Sequence, residues 1–378
     1  MEQAPLKILF VNSIQMFGGG EVWMLRAMAG LHARGHEVHL CCRPGTELLL
    51  RADRAGYPVH EVNFRGDFDP LTILRLVLLI KGQAYDIILT NMDKELRLAG
   101  IAARLVHPRP VVLPRRGIDY PLKNKLRYRF AYNVLADHII ANSEATKKAL
   151  LRNAPWLDPA RIEVIYNGIE IAPFQQARGE PFRQKLGIPA QAPLVGFVGQ
   201  LDSRKGIGVI LSAFDQVINR IPQAKLVFVG EGPLQEMIES EIRIKEWQGS
   251  VFLAGFSDDI PEVMQAIDLL ILPSFWEGFG IVIIEAMAAG KPVISTNISS
   301  MPEIVVEGET GYLIEPGDSD SLAGRIVTLL QDEDLRSRMG EKGVQRVDSM
   351  FSYTAMLNHL ETLFRKQVAR VRKPNHVQ

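Results

Sequence analysis

KILFVNSIQMFGGGE, residues 7–21, runs from an apolar stretch of strand length through three glycines into a helical segment. The same succession returns at residues 194–206, LVGFVGQLDSRKG, where Val195 to Val198 lead into Lys205 and Gly206. Between and beyond these openings, short apolar runs alternate with helix-length segments. Lys7 to Val11 is followed by Glu21 to Arg34 and then Glu37 to Cys41, with further runs at Asp86 to Leu89, Pro110 to Leu113, His138 to Ile140 and Glu163 to Ile165. Such alternation predicts a parallel sheet with crossover helices, a doubly wound α/β domain. An irregular stretch follows Asn167-Gly168 and lasts to Pro193. The alternation then restarts with Leu194 to Val198, Lys225 to Val229, Ser250 to Leu253, Leu269 to Leu272 and Pro292 to Ser295.

The reading is therefore two Rossmann-like domains, residues 1–172 and 173–350, with a linker near Glu170 to Gln176. Open parallel sheets bind ligands beyond the carboxyl ends of their strands, so the active site is expected in a cleft between the domains. Residues 351–378 complete the chain. Leu357, Leu360, Phe364 and Val368 stand at helical spacing within Ser352 to Val371, predicting one long helix. It is expected to return to the first domain and to end in a basic tail of Arg365, Lys366, Arg370, Arg372 and Lys373.

Composition narrows the class. A chain of 378 residues, 47% hydrophobic and 23% charged, has the balance of a globular protein with two cores. The two cysteines, Cys41 and Cys42, are neighbours, which offers neither a disulfide framework nor metal-ligand spacing. Residues 1 to 9 lack the pattern of an export signal, so a cytoplasmic location is expected. The most apolar stretch, Leu71 to Ile80, is about half the length needed to span a bilayer and carries Arg75. The net charge of zero hides an asymmetry: residues 1–172 carry 23 Lys+Arg against 17 Asp+Glu, and the rest of the chain carries 20 against 26. Most of the excess lies between Ile101 and Arg152, which suits either a solvated helix face or an anionic partner such as a membrane surface. Aromatic residues are not interleaved with these cations, which argues against a nucleic-acid partner.

Three loops carry candidate chemistry. In Gly18-Gly19-Gly20-Glu21 the glycines suit equally a tight turn and a backbone approach to phosphate at a helix N-terminus. In Gly199 to Gly206 two cations, Arg204 and Lys205, follow a strand and precede a helix. There they oppose the helix dipole, but they suit a diphosphate that gains charge as it leaves. In Pro273-Ser274-Phe275-Trp276-Glu277-Gly278-Phe279-Gly280-Ile281, followed by Glu285, two carboxylates flank a helix start near Phe279 or Gly280. Its amides suit phosphate, Glu277 the hydroxyls of a sugar and Glu285 a ribose.

These motifs, together with Arg34-Gly35-His36-Glu37-Val38 and Ile165-Tyr166-Asn167-Gly168-Ile169, resemble family 4 of the retaining glycosyltransferases, which have the GT-B fold. The likeness runs from Lys7 to about Phe364. It implies that Lys205 binds the donor diphosphate, that Glu277 binds the donor sugar and Glu285 the ribose, and that the backbone at Phe279, Gly280 and Ile281 binds the phosphates. It further implies that Gly19 and Gly20 approach the diphosphate and that Phe256, in Gly255-Phe256-Ser257, lies beside the nucleobase. Two departures stand out. Gln200 replaces an arginine usual in the diphosphate loop, so that one phosphate contact is either missing or supplied by Arg204. Arg116 stands where relatives often have a histidine near the reacting carbon, and counts with Lys205 and Glu277 as catalytic. Asn91, Asp93, Arg115 and Arg116 are the acceptor-side candidates.

The implied reaction moves a sugar from a UDP- or GDP-sugar to a saccharide or glycolipid, with retention and without a metal or other cofactor. Cell-envelope polysaccharide or lipopolysaccharide assembly, at the inner face of the membrane, is the expected setting. An epimerase of the same fold, acting on a UDP-sugar, and a degenerate sugar-nucleotide-binding protein are the alternatives. The dinucleotide fingerprint of a nicotinamide dehydrogenase is not spelled by residues 18–20, and no acid closes the second strand around Leu40 to Arg43.

Overall fold

The computed structural model describes residues 4–372. The chain forms two compact units. One comprises the residues up to Tyr166 together with those from Met356, and the other comprises Asn167–Ala355.

The first unit is built on a seven-stranded, all-parallel sheet. Its strands are β1 (Lys7–Asn12), β2 (Glu37–Cys42), β3 (Val59–Glu61), β4 (Ile87–Thr90), β5 (Val111–Arg116), β6 (Ile139–Ala141) and β7 (Ile162–Val164), in the order β3-β2-β1-β4-β5-β6-β7. Ile8 pairs with Val38 on one side and Ile87 on the other. The central strands are buried on both faces, which is why they read as continuous apolar runs. The second unit repeats the plan with six strands, β8 (Leu194–Val198), β9 (Lys225–Val229), β10 (Val251–Gly255), β11 (Leu269–Leu272), β12 (Val293–Thr296) and β13 (Gly311–Ile314), in the order β10-β9-β8-β11-β12-β13. In each sheet the order reverses once, between β1 and β4 and between β8 and β11. A crevice opens at such switch points, beyond the carboxyl ends of the two strands.

Sequence and structure differ at the margins. β3 and β13 are edge strands of three and four residues that lie outside the expected runs: Val-His-Glu of β3 lacks the apolar signature of the central strands, whereas Gly-Tyr-Leu-Ile of β13 is apolar and largely buried but opens on a glycine. The unit boundaries fall at Tyr166/Asn167 and Ala355/Met356, a few residues before and after the expected 172 and 350. The reason is a local pairing: the Ile169 amide donates to the Phe351 carbonyl at 3.0 Å and the Tyr353 amide to the Ile169 carbonyl at 2.9 Å, which ties both segments to the second unit.

The last helix, Tyr353–Arg372, joins the first unit from Met356 on. Arg34 and His36 both bond the Glu361 carboxylate, Arg365 donates to the Ala4 carbonyl at 2.9 Å, and Arg372 pairs with Asp86. The expected basic tail is thus partly spent on the fold, and Lys373 lies outside the described residues. Cys41 and Cys42 are both free and buried, and burial pushes the Cys42 thiol up to about 11, far from the reactive range. Among the described residues, no helix is long and apolar enough to cross a membrane.

Candidate functional site

In the second unit the loops after β8 and β11, on either side of the switch point, are fastened together by backbone. Gly206 adopts a left-handed φ of 70°, and a Cβ there would fall 2.1 Å from the Pro273 carbonyl oxygen, so only glycine lets the two loops touch. The Phe275 amide donates to the Arg204 carbonyl at 2.7 Å. This contact brings Lys205 and Glu277 into a direct ion pair, with side chains 17% and 15% exposed. Arg204 is held differently. Asp202 caps the short turn that begins at Ser203 and takes the Arg204 guanidinium at 2.5 Å, Gln200 accepts from it at 3.2 Å, and the Trp276 ring centre lies 5.6 Å away. The position expected to replace a missing arginine therefore carries a charge already compensated by Asp202.

The turn after Glu277 prepares a helix start. Gly280 is left-handed, with φ 78°, and a Cβ would meet the Met301 methyl at 2.9 Å. Ser300 donates to the Phe279 carbonyl at 3.2 Å, and the Phe279 ring packs edge-on against Phe351. The helix begins at Ile281, one or two residues later than expected, and its N-cap Gly280 has no side chain to satisfy the first amides. Such amides bind anions readily. Glu285 lies one turn further in and is buried. Phe256 follows the left-handed Gly255 and is largely exposed.

One element of this unit escaped the sequence reading. Gly230-Glu231-Gly232 follows β9 and seats the loop after β8. A Cβ on Gly230 would lie 2.0 Å from the Gly199 carbonyl oxygen, and one on Gly232 would lie 2.4 Å from that of Leu201, whose amide donates to the Glu231 carbonyl at 3.0 Å. Two glycines directly behind an apolar run were the available signal.

In the first unit the loops after β1 and β4 flank the other switch point. Glu21 is buried and accepts from the Gly18 amide at 3.1 Å and from Asn12 Nδ2 at 2.8 Å, which anchors the glycine loop from below. A Cβ on Gly20 would stand 3.0 Å from Asn91 Nδ2, so packing accounts for this glycine. At Gly19, no described atom lies within 4 Å of a Cβ, and packing does not account for it. Glu95, also overlooked in the sequence, is the fastener between the loops. It is fully buried on the helix Asp93–Arg104 and accepts from the amides of Ser13 at 2.5 Å, Asn91 at 2.7 Å and Met92 at 2.9 Å. Burial pushes its carboxyl up to about 7 against the pull of those three donors. A lone acid on a helix leaves no trace of such a role in sequence.

The acceptor-side candidates separate into two kinds. Arg115 is buried 3.8 Å from the Trp23 ring centre and reaches Asn91 Oδ1 only at 3.4 Å. Its guanidinium is pushed down by burial to about 9, yet stays charged at neutral pH beside Glu21. Its position under the tryptophan makes it a support of the loop. Arg116 donates to Asp93 Oδ1 at 3.0 Å, and Tyr132 donates to the same oxygen at 2.6 Å. Burial opposes the Arg116 charge, but Tyr132 and Asp93 outweigh it and hold its pKa above the ordinary value. Asp93 is thus first the partner of Arg116. Among the described residues, no three His, Cys, Asp or Glu side chains are grouped so as to hold a metal.

Comparison with known proteins agrees with this geometry. The profile of Glycosyltransferase Family 4 matches residues 17–172, and that of Glycosyl transferases group 1 matches residues 179–346. The chain is 28% identical over 350 residues to the UDP-Gal:alpha-D-GlcNAc-diphosphoundecaprenol alpha-1,3-galactosyltransferase of Escherichia coli, covering 87% of this chain and 89% of that one. It is 26% identical over 350 residues to the capsular polysaccharide biosynthesis glycosyltransferase CapM of Staphylococcus aureus, covering 88% and 91%. The crystal structure of Anabaena HepE in complex with UDP and glucose superposes with a TM-score of 0.77 at 26% identity, covering 95% of this chain and 99% of that one. With two doubly wound units, a Lys205–Glu277 pair at the second switch point and both profiles matched in order, the chain belongs to family 4 of the retaining glycosyltransferases, with the GT-B fold.

Proposed function

We propose that this glycosyltransferase moves a hexose from UDP to a hydroxyl of a lipid-linked saccharide during assembly of a cell-envelope glycan, working in the cytoplasm at the membrane face. The observation that carries the donor half is the Lys205–Glu277 ion pair beside the uncapped helix start at Gly280. On donor binding the pair separates into two roles. Lys205 neutralises the diphosphate, joined by the amides around Phe279, Gly280 and Ile281, while Glu277 accepts from the sugar hydroxyls. Glu285 takes the ribose, Phe256 lies beside the base, and Arg204 adds weaker attraction because Asp202 already holds it. In the first unit, Gly19 and Gly20 form a close-approach surface for ligand, and Arg116 and Asn91 are assigned to the acceptor. The bond from the anomeric carbon to the diphosphate oxygen breaks, and the acceptor oxygen bonds on the vacated face. Its proton passes to the departing diphosphate. No metal is given a part, since Lys205 and the helix amides supply the positive field. The choice of UDP is supported by the E. coli relative and the UDP-bound HepE structure, and the lipid-borne acceptor by the E. coli relative.

Calorimetry with UDP, GDP and ADP, in EDTA, tests the reading. UDP is expected to bind, and Glu285→Ala is expected to weaken it at least about ten-fold, the loss of a charged hydrogen bond. Glu277→Gln is expected to leave UDP affinity within about two-fold while cutting transfer at least about 100-fold. Failure of all three nucleotides to bind would overturn the proposal.

A further inference from the structure

The stretch Leu71 to Ile80, too short to span a bilayer, has an unusual disposition in the fold. It lies in the helix Pro70–Gln83, whose inner face, Thr72, Leu76 and Ile80, is buried and packs toward the core and the helix Asp93–Arg104. The outer face is nevertheless apolar. Leu71, Leu74 and Leu78 are 43%, 54% and 63% exposed, at the spacing of one helical stripe, with Arg75 exposed among them. The core is complete without these three leucines.

The stripe continues onto a neighbouring element. Asp67, just before the helix, bonds Arg97 at 2.8 Å and Arg127 at 3.2 Å, and the Arg97 guanidinium lies 6.0 Å from the Phe68 ring centre and 5.6 Å from that of Tyr128. This ties the segment before Pro70 to the short helix Leu126–Phe130, where Leu126 is 81% exposed and Phe130 is exposed as well. Segments 65–83 and 119–131 together carry seven Lys and Arg against three acids. Two of those acids are committed within the fold, Asp67 as above and Asp69 as the cap of the helix, accepting from the Thr72 amide at 3.0 Å. Exposed apolar side chains set among cations, on a surface that remains net positive, are complementary to a lipid layer with anionic headgroups, the apolar tips entering the interface and the cations meeting the phosphates.

We infer that the face formed by Phe68, Leu71, Leu74, Leu78, Leu126 and Phe130, with Arg75, Lys123 and Lys125, is the surface by which this enzyme docks on an anionic membrane. It deepens the proposed function, resting on its lipid-borne acceptor, and gives a use to Lys123 and Lys125 among the cations between Ile101 and Arg152. A neutral protein partner would not call for the charge, and a soluble polyanion would not call for the leucines.

Co-sedimentation of the full chain with phosphatidylglycerol and phosphatidylcholine vesicles, without donor or acceptor, tests it. Binding to the anionic vesicles is expected, falling at least about ten-fold as salt rises from about 0.1 to 0.5 M. Leu74→Ser/Leu78→Ser/Leu126→Ser and, separately, Lys123→Glu/Lys125→Glu are expected to lower it at least about ten-fold. Both sets are surface changes and are expected to leave UDP affinity unaltered, so loss of donor binding and loss of vesicle binding are separate results. Absence of vesicle binding, or binding that both sets leave intact, overturns the inference. Self-association abolished by the serine variant, without vesicle binding, overturns it in favour of a second copy as the occupant.

Discussion

At the scale of single residues, the fold gives Glu95 a role that its neighbours in sequence do not reveal. Glu95 is buried and receives three backbone amides from the loops after β1 and β4. Its folded pKa of about 7 exceeds the 4.5 of an exposed glutamate, so the folded state retains the proton longer than the unfolded one. The linked stabilisation is complete below about pH 4.5 and is lost as pH rises through about 7. Urea midpoints followed from pH 5 to pH 8 are expected to fall for the native chain and to flatten for Glu95→Gln, and an identical slope in both would show that Glu95 is not the titrating group. Gly19 presents the opposite case. Because no described atom lies near its missing Cβ, Gly19→Ala is expected to change stability by less than about 1 kcal/mol yet to lower kcat/KM at least about ten-fold by obstructing the ligand. Gly20→Ala, which crowds Asn91, should cost both. A Gly19→Ala enzyme of native activity would remove this loop from the site.

At the scale of elements, the central strands and the long helices are where the hydrophobic period is strongest, and there sequence and structure coincide. The runs Leu194 to Val198, Lys225 to Val229 and Leu269 to Leu272 are strands with those same limits. The edge strand β3, Val-His-Glu, lacks the pattern, since a strand with one neighbour need not be apolar on both faces. The final helix was legible from its leucines, but its anchorage was not. His36 accepts the Leu6 amide on Nδ1 at 3.0 Å, which leaves Nε2 to donate to Glu361 at 2.8 Å. Burial alone would raise the Glu361 pKa, but hydrogen bonds from His36 and Arg34 hold it below the usual carboxylate range. Glu361→Ala removes the carboxylate that His36 and Arg34 share, Arg34 keeping Asn358 Oδ1 at 2.8 Å, and is expected to destabilise the first unit by about 1–2 kcal/mol, lowering Tm by about 2–8 °C. Thermal melts on the full chain read this directly; an unchanged Tm would mean that the helix is held without Glu361, by its apolar face, Leu357, Leu360 and Phe364, and by Arg365 and Arg372.

At the scale of the whole molecule, repetition of one plan does the organising. Each unit reverses its strand order once, and at each reversal a glycine-bearing loop from the first strand of the unit faces a loop carrying polar side chains: Gly18 to Gly20 with Asn91 and Asp93, and Lys205 with Glu277. The sequence by itself determined the two sheets and their parallel sense, and grouped the candidate residues into a few loops, because strand and helix periods and glycine placement are local properties that survive without knowledge of contacts. It also offered Glu277, Glu285 and Lys205 as candidates, since their spacing from a glycine-marked helix start is itself local. Only the tertiary structure decided which of the candidate side chains are available. Arg115 proved to be a support under Trp23, Asp93 the partner of Arg116, Arg204 a charge matched by Asp202, and Glu95 and the glycines at 230 and 232 the fasteners of loops from different strands. It also turned Leu71 to Ile80 from an apolar run into a half-exposed stripe. The physical reason is common to all of these. Burial and pairing arise between residues tens of positions apart, and the register of a crossover, which no single segment encodes, settles which of them meet.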